Sequence, residues 1–197
     1  MKKIDFNDPA FNGFEEGENV LLDTGILLAL FIKDDSWHEP VTELFENYIT
    51  NSDNTVFLYT NPTIINELSH ITTKGLDSYL RGHNLSANEG EKGIIKQTVK
   101  DNVKTLIENE ILIVLDGSGE SVLKQLELSE KLGAADAVNA SIANEFGISF
   151  LTVDSTLVTN MDSVRNELSN INNLYYTTGA HRKHRRRVEH VTVGRAR

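Results

Sequence analysis

The chain has no cysteine and no long uninterrupted apolar segment. The missing cysteine excludes disulfides and thiolate metal sites, and it is compatible with a reducing compartment. The N-terminal segment, MKKIDFNDPAFNGFEEGENV, carries two lysines but no apolar h-region. The longest apolar stretch contains an aspartate and is too short to span a bilayer. We therefore expect a cytoplasmic protein that has no membrane partner.

Cationic residues are scarce outside the C-terminal end. Residues 181–197 hold seven of the 19 lysines and arginines and one of the 29 acids, which leaves 12 bases and 28 acids in residues 1–180. A body this acidic is a poor nucleic-acid surface unless cations or local basic patches intervene. Residues 179–197 are expected to form a flexible basic tail, which is either an arm that binds phosphates or added or read-through sequence.

Short apolar segments alternate with segments of helical character. Strands are predicted at 19–23, 54–60, 111–116, 148–154 and 173–178. Helices are predicted at 26–32, 38–50, 61–73, 86–110, 118–132, 134–147 and 162–168. Continuous apolar strands separated by helices indicate an α/β fold with a mostly parallel sheet covered on both faces. We predict an N-terminal extension at 1–18 and one domain at 19–178, with a helical insertion at about 74–110.

Four acids lie at strand ends or on helices beside small and apolar residues. Asp23 interrupts the apolar run NVLLDTGILLAL between a strand and a buried helix, where an isolated carboxylate costs several kcal/mol. Asp154 ends the strand ISFLTVD, at the edge of the sheet where α/β proteins bind ligands. Glu67 borders the apolar stripe of its helix. Asp136 lies among alanines, and Asn139 follows it one turn later on the same side.

Each acid also has a purely structural explanation. Asp23 and Asp154 are suited to cap helices at strand-to-helix turns. Glu67 is suited to face solvent, and Asp136 to interact favourably with the helix dipole. Taken together, however, the four acids fall in successive βα units with no buried lysine or arginine to pair with them. Mg²⁺ or Mn²⁺ is the natural compensation, because carboxylate-rich sites without Cys or His suit these cations.

The segments VLLDTGILLAL, NPTIINELSH, LGAADAVNASIA and FLTVDSTL resemble, in order, the four acidic blocks of PIN-domain nucleases. The resemblance covers roughly residues 19–160. It implies a three-layer α/β/α fold and metal-dependent hydrolysis of single-stranded or loop RNA, often by toxins of toxin-antitoxin pairs. The catalytic and metal-binding acids that it implies are Asp23, Glu67, Asp136 and Asp154. The supporting residues are Thr24, Thr152 and Ser155, together with Asn139.

The resemblance makes RNA the expected substrate, with an antitoxin protein and a second copy of the chain as candidate partners. The chain departs from compact toxins of the family in its N-terminal extension, its basic tail and a longer segment between Ile71 and Ile111. Within that segment, four lysines recur every four residues on one helix face: Lys92, Lys96, Lys100 and Lys104. This face is suited to lining an RNA groove, and it is also typical of a solvated amphipathic helix.

Three other functions explain only part of the pattern. LLDTG matches the motif of retroviral-type aspartic proteases, but their all-β fold needs strands where residues 26–32 predict a helix. A non-catalytic PIN-like RNA-binding or scaffold protein is compatible with the scarcity of basic residues in the body, yet it has no need of all four acids. A phosphoryl-transfer site of the receiver or phosphatase kind expects a strand-end lysine, and none follows the third or fourth predicted strand.

Overall fold

The computed structural model describes residues 1–177. Its strands are β1 (Lys2–Asp5), β2 (Glu18–Leu22), β3 (Val56–Thr60), β4 (Leu112–Val114), β5 (Ser149–Leu151) and β6 (Asn173–Tyr176). Its helices are α1 (Thr24–Phe31), α2 (His38–Phe45), α3 (Pro62–His70), α4 (Leu76–Gly82), α5 (Glu89–Glu108), α6 (Gly119–Leu132), α7 (Ala134–Phe146) and α8 (Ser155–Ser163). Two π-helical turns, Glu46–Thr50 and Ile71–Gly75, continue α2 and α3.

The six strands form one parallel sheet in the order β1-β6-β5-β2-β3-β4. From β2 the chain winds outward through β3 to β4, and it then crosses back to β5 and β6 on the other side. The winding direction therefore reverses between β2 and β5. Ligands of open α/β sheets bind outside the carboxyl ends of the strands at such a reversal, which directs attention to the residues that follow Leu22 and Leu151.

The centre of the sheet is apolar because both of its faces are covered by helices. Leu21 and Leu22 of β2 and Phe150 and Leu151 of β5 are fully buried. Helix α1 is apolar on nearly every side and buries Ile26, Leu27, Leu28 and Ala29. The prediction of an α/β fold with a mostly parallel, helix-covered sheet is confirmed, and this sheet fixes the strand ends that carry the candidate acids.

Residues 1–18, predicted as an extension, supply an edge strand and part of the core. Strand β1 pairs with β6, with Ile4 beside Tyr175. The rings of Phe11 and Phe14 pack edge-on against Tyr175, with ring centroids 6.1 and 4.8 Å away. The sequence did not predict β1, because KKID is short and has no alternation of apolar and polar residues.

Two predicted helix boundaries are wrong. The helix predicted at 162–168 is replaced by α8, which begins earlier because the Asp154 carboxylate accepts hydrogen bonds from the amides of Thr156 and Leu157, at 2.7 and 3.0 Å. Helix α5 is capped by Asn88, not by Ser86. Asn88 and Glu91 form a reciprocal capping box, which satisfies two backbone N–H groups at once.

The predicted helical insertion contains α4 and α5, which pack beside the π-helical turn of residues 71–75. Within residues 1–177, no helix combines the length and the apolarity needed to cross a bilayer. The basic tail predicted at 179–197 lies outside the described residues.

Candidate active site

Asp23 is held at the carboxyl end of β2, where the chain turns into α1. Its side chain is buried, with 7% of the residue surface exposed. Oδ1 accepts a hydrogen bond from the Thr24 amide at 2.8 Å, and Oδ2 accepts one from the Thr152 hydroxyl at 2.6 Å. The helix-capping explanation is therefore correct for Asp23. One cap bond and one hydroxyl do not neutralise a buried carboxylate, which still needs a proton or a cation.

Thr152 connects the carboxyl ends of β2 and β5. Besides donating to Asp23, its hydroxyl oxygen accepts a hydrogen bond from the Asp154 amide at 3.0 Å. The Asp154 side chain is exposed and caps α8 through Oδ1 alone. The second carboxylate oxygen is not used by the cap. Asp154 can therefore cap its helix and still present an oxygen at this edge of the sheet.

Glu67 is brought to the same region by Thr24. The Thr24 hydroxyl, at the first residue of α1, donates a hydrogen bond of 2.7 Å to Glu67 Oε2. Glu67 is half-buried on α3, so the alternative of a fully solvated helix acid is wrong. The Thr24 hydroxyl, which directly follows Asp23 in the sequence, thus positions the Glu67 carboxylate.

Asp136 lies half-buried in the first turn of α7. In the described part of the chain, its carboxylate accepts no hydrogen bond, and the perturbing groups around it are other acids. The favourable helix dipole is the one structural interaction that supports its charge. Asp136 is consequently the carboxylate with the most capacity left for a cation or a water molecule.

The remaining supporting residues behave differently from one another. Asn139 is fully buried and faces Asn61, whose Nδ2 donates to Asn139 Oδ1 at 3.0 Å. Asn61 also caps α3 through the Ile64 amide at 2.9 Å. The Asn139 Nδ2 group has no partner among residues 1–177. Ser155 is exposed at the start of α8, where its backbone carbonyl accepts a hydrogen bond of 2.9 Å from the Thr159 hydroxyl.

Burial and mutual repulsion raise the pKa of two of the acids. Burial raises the pKa of Asp23 from its ordinary 3.8 to about 7, with the charges of Asp136 and Glu67 adding to the rise and hydrogen bonds from Thr152 and Thr24 opposing it. Burial also raises the pKa of Asp136 from 3.8 to about 6, with added repulsion from Asp154 and Glu67. The four acids are therefore close enough for their charges to act on one another.

The donor set fits an oxygen-ligated divalent cation in its chemistry. Within residues 1–177 none of the four acids has a lysine or arginine as an ion-pair partner. A cation with a preference for carboxylates and water, such as Mg²⁺ or Mn²⁺, would relieve their repulsion. The site is not preassembled, however. Across these described residues, no three histidine or acidic side chains stand in position to ligate one ion.

Among residues 1–177, the predicted RNA-binding lysines form no ion pair with the four acids. Lys92 is engaged in two ion pairs of 2.7 Å, with Asp77 and Glu89. Lys104 pairs with Glu108 at 3.5 Å. A largely apolar groove of about 540 Å³ lies between α3 and α5, and three of the predicted lysines line it: Lys96, Lys100 and Lys104. Lys92 is therefore the least available of the four for binding phosphate.

Sequence reasoning missed a cavity that adjoins the acids. Its volume is about 230 Å³, and its lining residues are Gly25, Trp37, Tyr79, His83, Val153 and Asp154. Its aromatic residues come from the loop before α2 and from α4 and the residue that follows it. The sequence predicted only a helical insertion in this region and did not predict α4 as a separate helix. No periodic pattern could have found it, because its lining comes from four segments that are distant from one another in sequence.

The chain matches one family model and is similar to several solved structures. The family model of the PIN domain matches residues 20–160. The crystal structure of FitAcB from Neisseria gonorrhoeae is similar at 14% identity and a TM-score of 0.49, over 81% of this chain and 96% of that chain. VapBC2 from Rickettsia felis, bound to a DNA fragment from its promoter, is similar at 16% identity and a TM-score of 0.47, over 80% of this chain and 98% of that one. No curated protein gives a significant match. Since the family model spans most of the sequence, the chain belongs to the PIN-domain family.

Proposed function

We propose that this PIN domain is a Mg²⁺- or Mn²⁺-dependent endoribonuclease that hydrolyses phosphodiester bonds of single-stranded or loop RNA. The observation that carries the proposal is the hydrogen-bonded arrangement in which Thr24 and Thr152 place Glu67, Asp23 and Asp154 at the carboxyl ends of β2 and β5. Burial and neighbouring acids raise the pKa of Asp23 and of Asp136 beside it. Perturbed carboxyl groups gathered at the switch point of an α/β sheet are typical of functional sites. Glu67 and Asp154 complete the proposed set.

The hydroxyls of the site are suited to hold carboxylates rather than to attack the substrate. The Thr152 proton is donated to Asp23 and the Thr24 proton to Glu67. Among residues 1–177, neither hydroxyl bonds to a histidine or lysine that could activate it as a nucleophile. The proposed attacking group is therefore a water molecule, and no covalent enzyme intermediate is required.

The proposed roles of the acids differ because their surroundings differ. Asp23 is fixed by two hydrogen bonds, which suits a ligand whose orientation must not change. Asp136 accepts no hydrogen bond from residues 1–177, so one of its carboxylate oxygens is suited to orient the attacking water and accept its proton. A divalent cation held by the acids would supply two effects: a better water nucleophile at neutral pH and compensation of charge developing on the phosphate.

One observation favours a second candidate, a non-catalytic PIN-like RNA-binding or scaffold protein. The acids of residues 1–177 are not preassembled around one point, so binding of a cation requires side-chain adjustment. An antitoxin partner is proposed from membership of the family alone. Experiments can test the scaffold alternative and the antitoxin partner independently of the nuclease proposal.

The test is to incubate the full chain with fluorescent single-stranded RNA, a hairpin RNA and single-stranded DNA, with Mg²⁺, Mn²⁺ or EDTA. We expect cleavage of single-stranded and loop RNA with either metal and none in EDTA. Because water is the proposed nucleophile, the products should carry no 2′,3′-cyclic phosphate. Cyclic ends or cleavage in EDTA would contradict the mechanism. RNA binding without cleavage under every metal condition would establish the scaffold alternative.

A further inference from the structure

The cavity beside Asp154 has aromatic walls and a fixed shape. Asp35, which is 5% exposed, lies behind it. This carboxylate accepts a hydrogen bond from the Tyr79 hydroxyl and one of 2.7 Å from the Trp37 amide, and it lies 3.4 Å from Nε2 of His83. One buried acid therefore ties together the three ring-bearing residues that line the cavity, although they come from separate segments of the chain.

His83 offers the cavity its ring rather than a free nitrogen. Its Nδ1 lies 2.9 Å from the carbonyl oxygen of Tyr79, and its Nε2 faces Asp35. The ring also stacks on Tyr79, with the centroids 4.3 Å apart and the planes inclined by 35°. Both nitrogens are thus occupied, so His83 is suited to shape the cavity and not to exchange protons with a substrate.

The lining decides what kind of group fits. The lining includes the carboxylate of Asp154 and no lysine or arginine, so a phosphate would meet a negative charge and no guanidinium or ammonium group to bind it. The volume of about 230 Å³ corresponds to roughly eight groups the size of a water molecule, which is the size of one nucleobase. Unpaired RNA bases stack on Trp, Tyr and His side chains in proteins that bind single-stranded RNA.

We propose that the cavity lined by Trp37, Tyr79 and His83 holds one unpaired base of the RNA, next to the phosphate that the acids cut. This proposal rests on the proposed nuclease function, since Asp154 borders both the acidic site and the cavity. It makes the cavity the place where the enzyme selects its cleavage position. Asp35 acts in it as a positioning residue.

The sequence supplies its own probe, because Trp37 is the only tryptophan of the chain. The first experiment titrates the full chain carrying Asp136→Asn, in Mg²⁺, with a short single-stranded oligoribonucleotide. Stacking of a base should quench the tryptophan fluorescence in step with binding measured by anisotropy. In a series of oligonucleotides with one abasic position each, a single abasic position should abolish the quenching. Saturated binding with unchanged fluorescence would overturn the proposal.

The second experiment measures cleavage by Trp37 variants of the otherwise unaltered chain. Trp37→Ala should raise KM roughly 5- to 150-fold, the loss expected for one stacked base, and should relax the base preference beside the cut. Trp37→Phe should recover most of the affinity. The control is Phe146→Ala, which removes an aromatic ring that is 46% exposed at the far end of α7.

The outcomes separate this proposal from the nuclease proposal. Wild-type KM and base preference in Trp37→Ala, with metal-dependent cleavage intact, would refute the base pocket and leave the nuclease function standing. If the wild-type chain cuts no RNA with any metal, both proposals fail together. The abasic series uses the native cavity, so it remains decisive even if Trp37→Ala does not fold.

Discussion

Asp23→Asn should stabilise the metal-free protein, and the gain should depend on pH. Burial and neighbouring acids raise the pKa of Asp23 from 3.8 to about 7 in the folded chain. The folded state therefore keeps a proton that the unfolded state releases. As pH rises from the unfolded pKa through the folded one, wild type loses stability. Asparagine carries no charge at any of these pH values and avoids this loss.

The size of the stability difference between Asp23→Asn and wild type follows from the rise in the pKa of Asp23. At 1.36 kcal/mol per pKa unit, a rise from 3.8 to about 7 corresponds to about 4 kcal/mol lost by wild type once the pH exceeds the folded pKa. The hydrogen bonds from Thr152 and Thr24 are already included in this shift, and about 1 kcal/mol of the loss has occurred by about pH 4.5. Relative to the comparison at about pH 4.5, we expect the mutant to gain about 3 kcal/mol over wild type near pH 8, equivalent to roughly 6–12 °C in Tm.

The assay is thermal unfolding in EDTA at about pH 4.5 and about pH 8, since the linkage argument requires both sides of the shift. The two proteins should melt together at the lower pH and diverge at the higher one. Asp53→Asn is the matched control, because Asp53 is an exposed loop acid at the opposite edge of the sheet. If Asp23→Asn is instead less stable by about 1 kcal/mol at both pH values, Asp23 is only a helix cap.

Three further predictions concern the surroundings of the site. Thr152→Val removes the hydroxyl between Asp23 and the Asp154 amide, so it should lower stability by about 1–3 kcal/mol in denaturant melts and reduce cleavage; unchanged kinetics would contradict its role. Saturating Mg²⁺ should raise the wild-type Tm near neutral pH by mass action, and an equal rise in Asp23→Asn would show that the ion binds elsewhere. The double variant Lys96→Glu, Lys100→Glu should weaken RNA binding and reduce the slope of log K against log salt by about 1.4; an unchanged slope would mean that the groove lined by these lysines is not an RNA surface.

The strand ends were predictable from sequence because burial leaves a simple pattern. Asp23 and Asp154 follow continuous apolar strands, and any acid in that setting lies at the carboxyl edge of a parallel sheet. Their dual role was not predictable. Both are helix caps in the structure, and a sequence cannot say whether a capping carboxylate also faces other acids.

Contacts between segments distant in sequence could not be predicted for a different reason. The link from Asp35 to Tyr79 and His83 joins a loop to a short helix, and neither segment has hydrophobic periodicity to mark it. The Asn61–Asn139 pair likewise depends on how α3 meets α7. Such contacts follow from tertiary packing and not from local propensity.

The central claim is that four carboxylates form one metal-dependent site for RNA hydrolysis: Asp23, Glu67, Asp136 and Asp154. The most direct test is single-turnover cleavage of a fluorescent single-stranded RNA in Mn²⁺ by wild type, Asp136→Asn and the control Asp53→Asn. Because Asp136 is the half-buried acid without a hydrogen-bond donor among residues 1–177, its amide variant should fold normally and cleave at least ~100-fold more slowly. The control should match wild type. Wild-type cleavage by correctly folded Asp136→Asn would contradict the account.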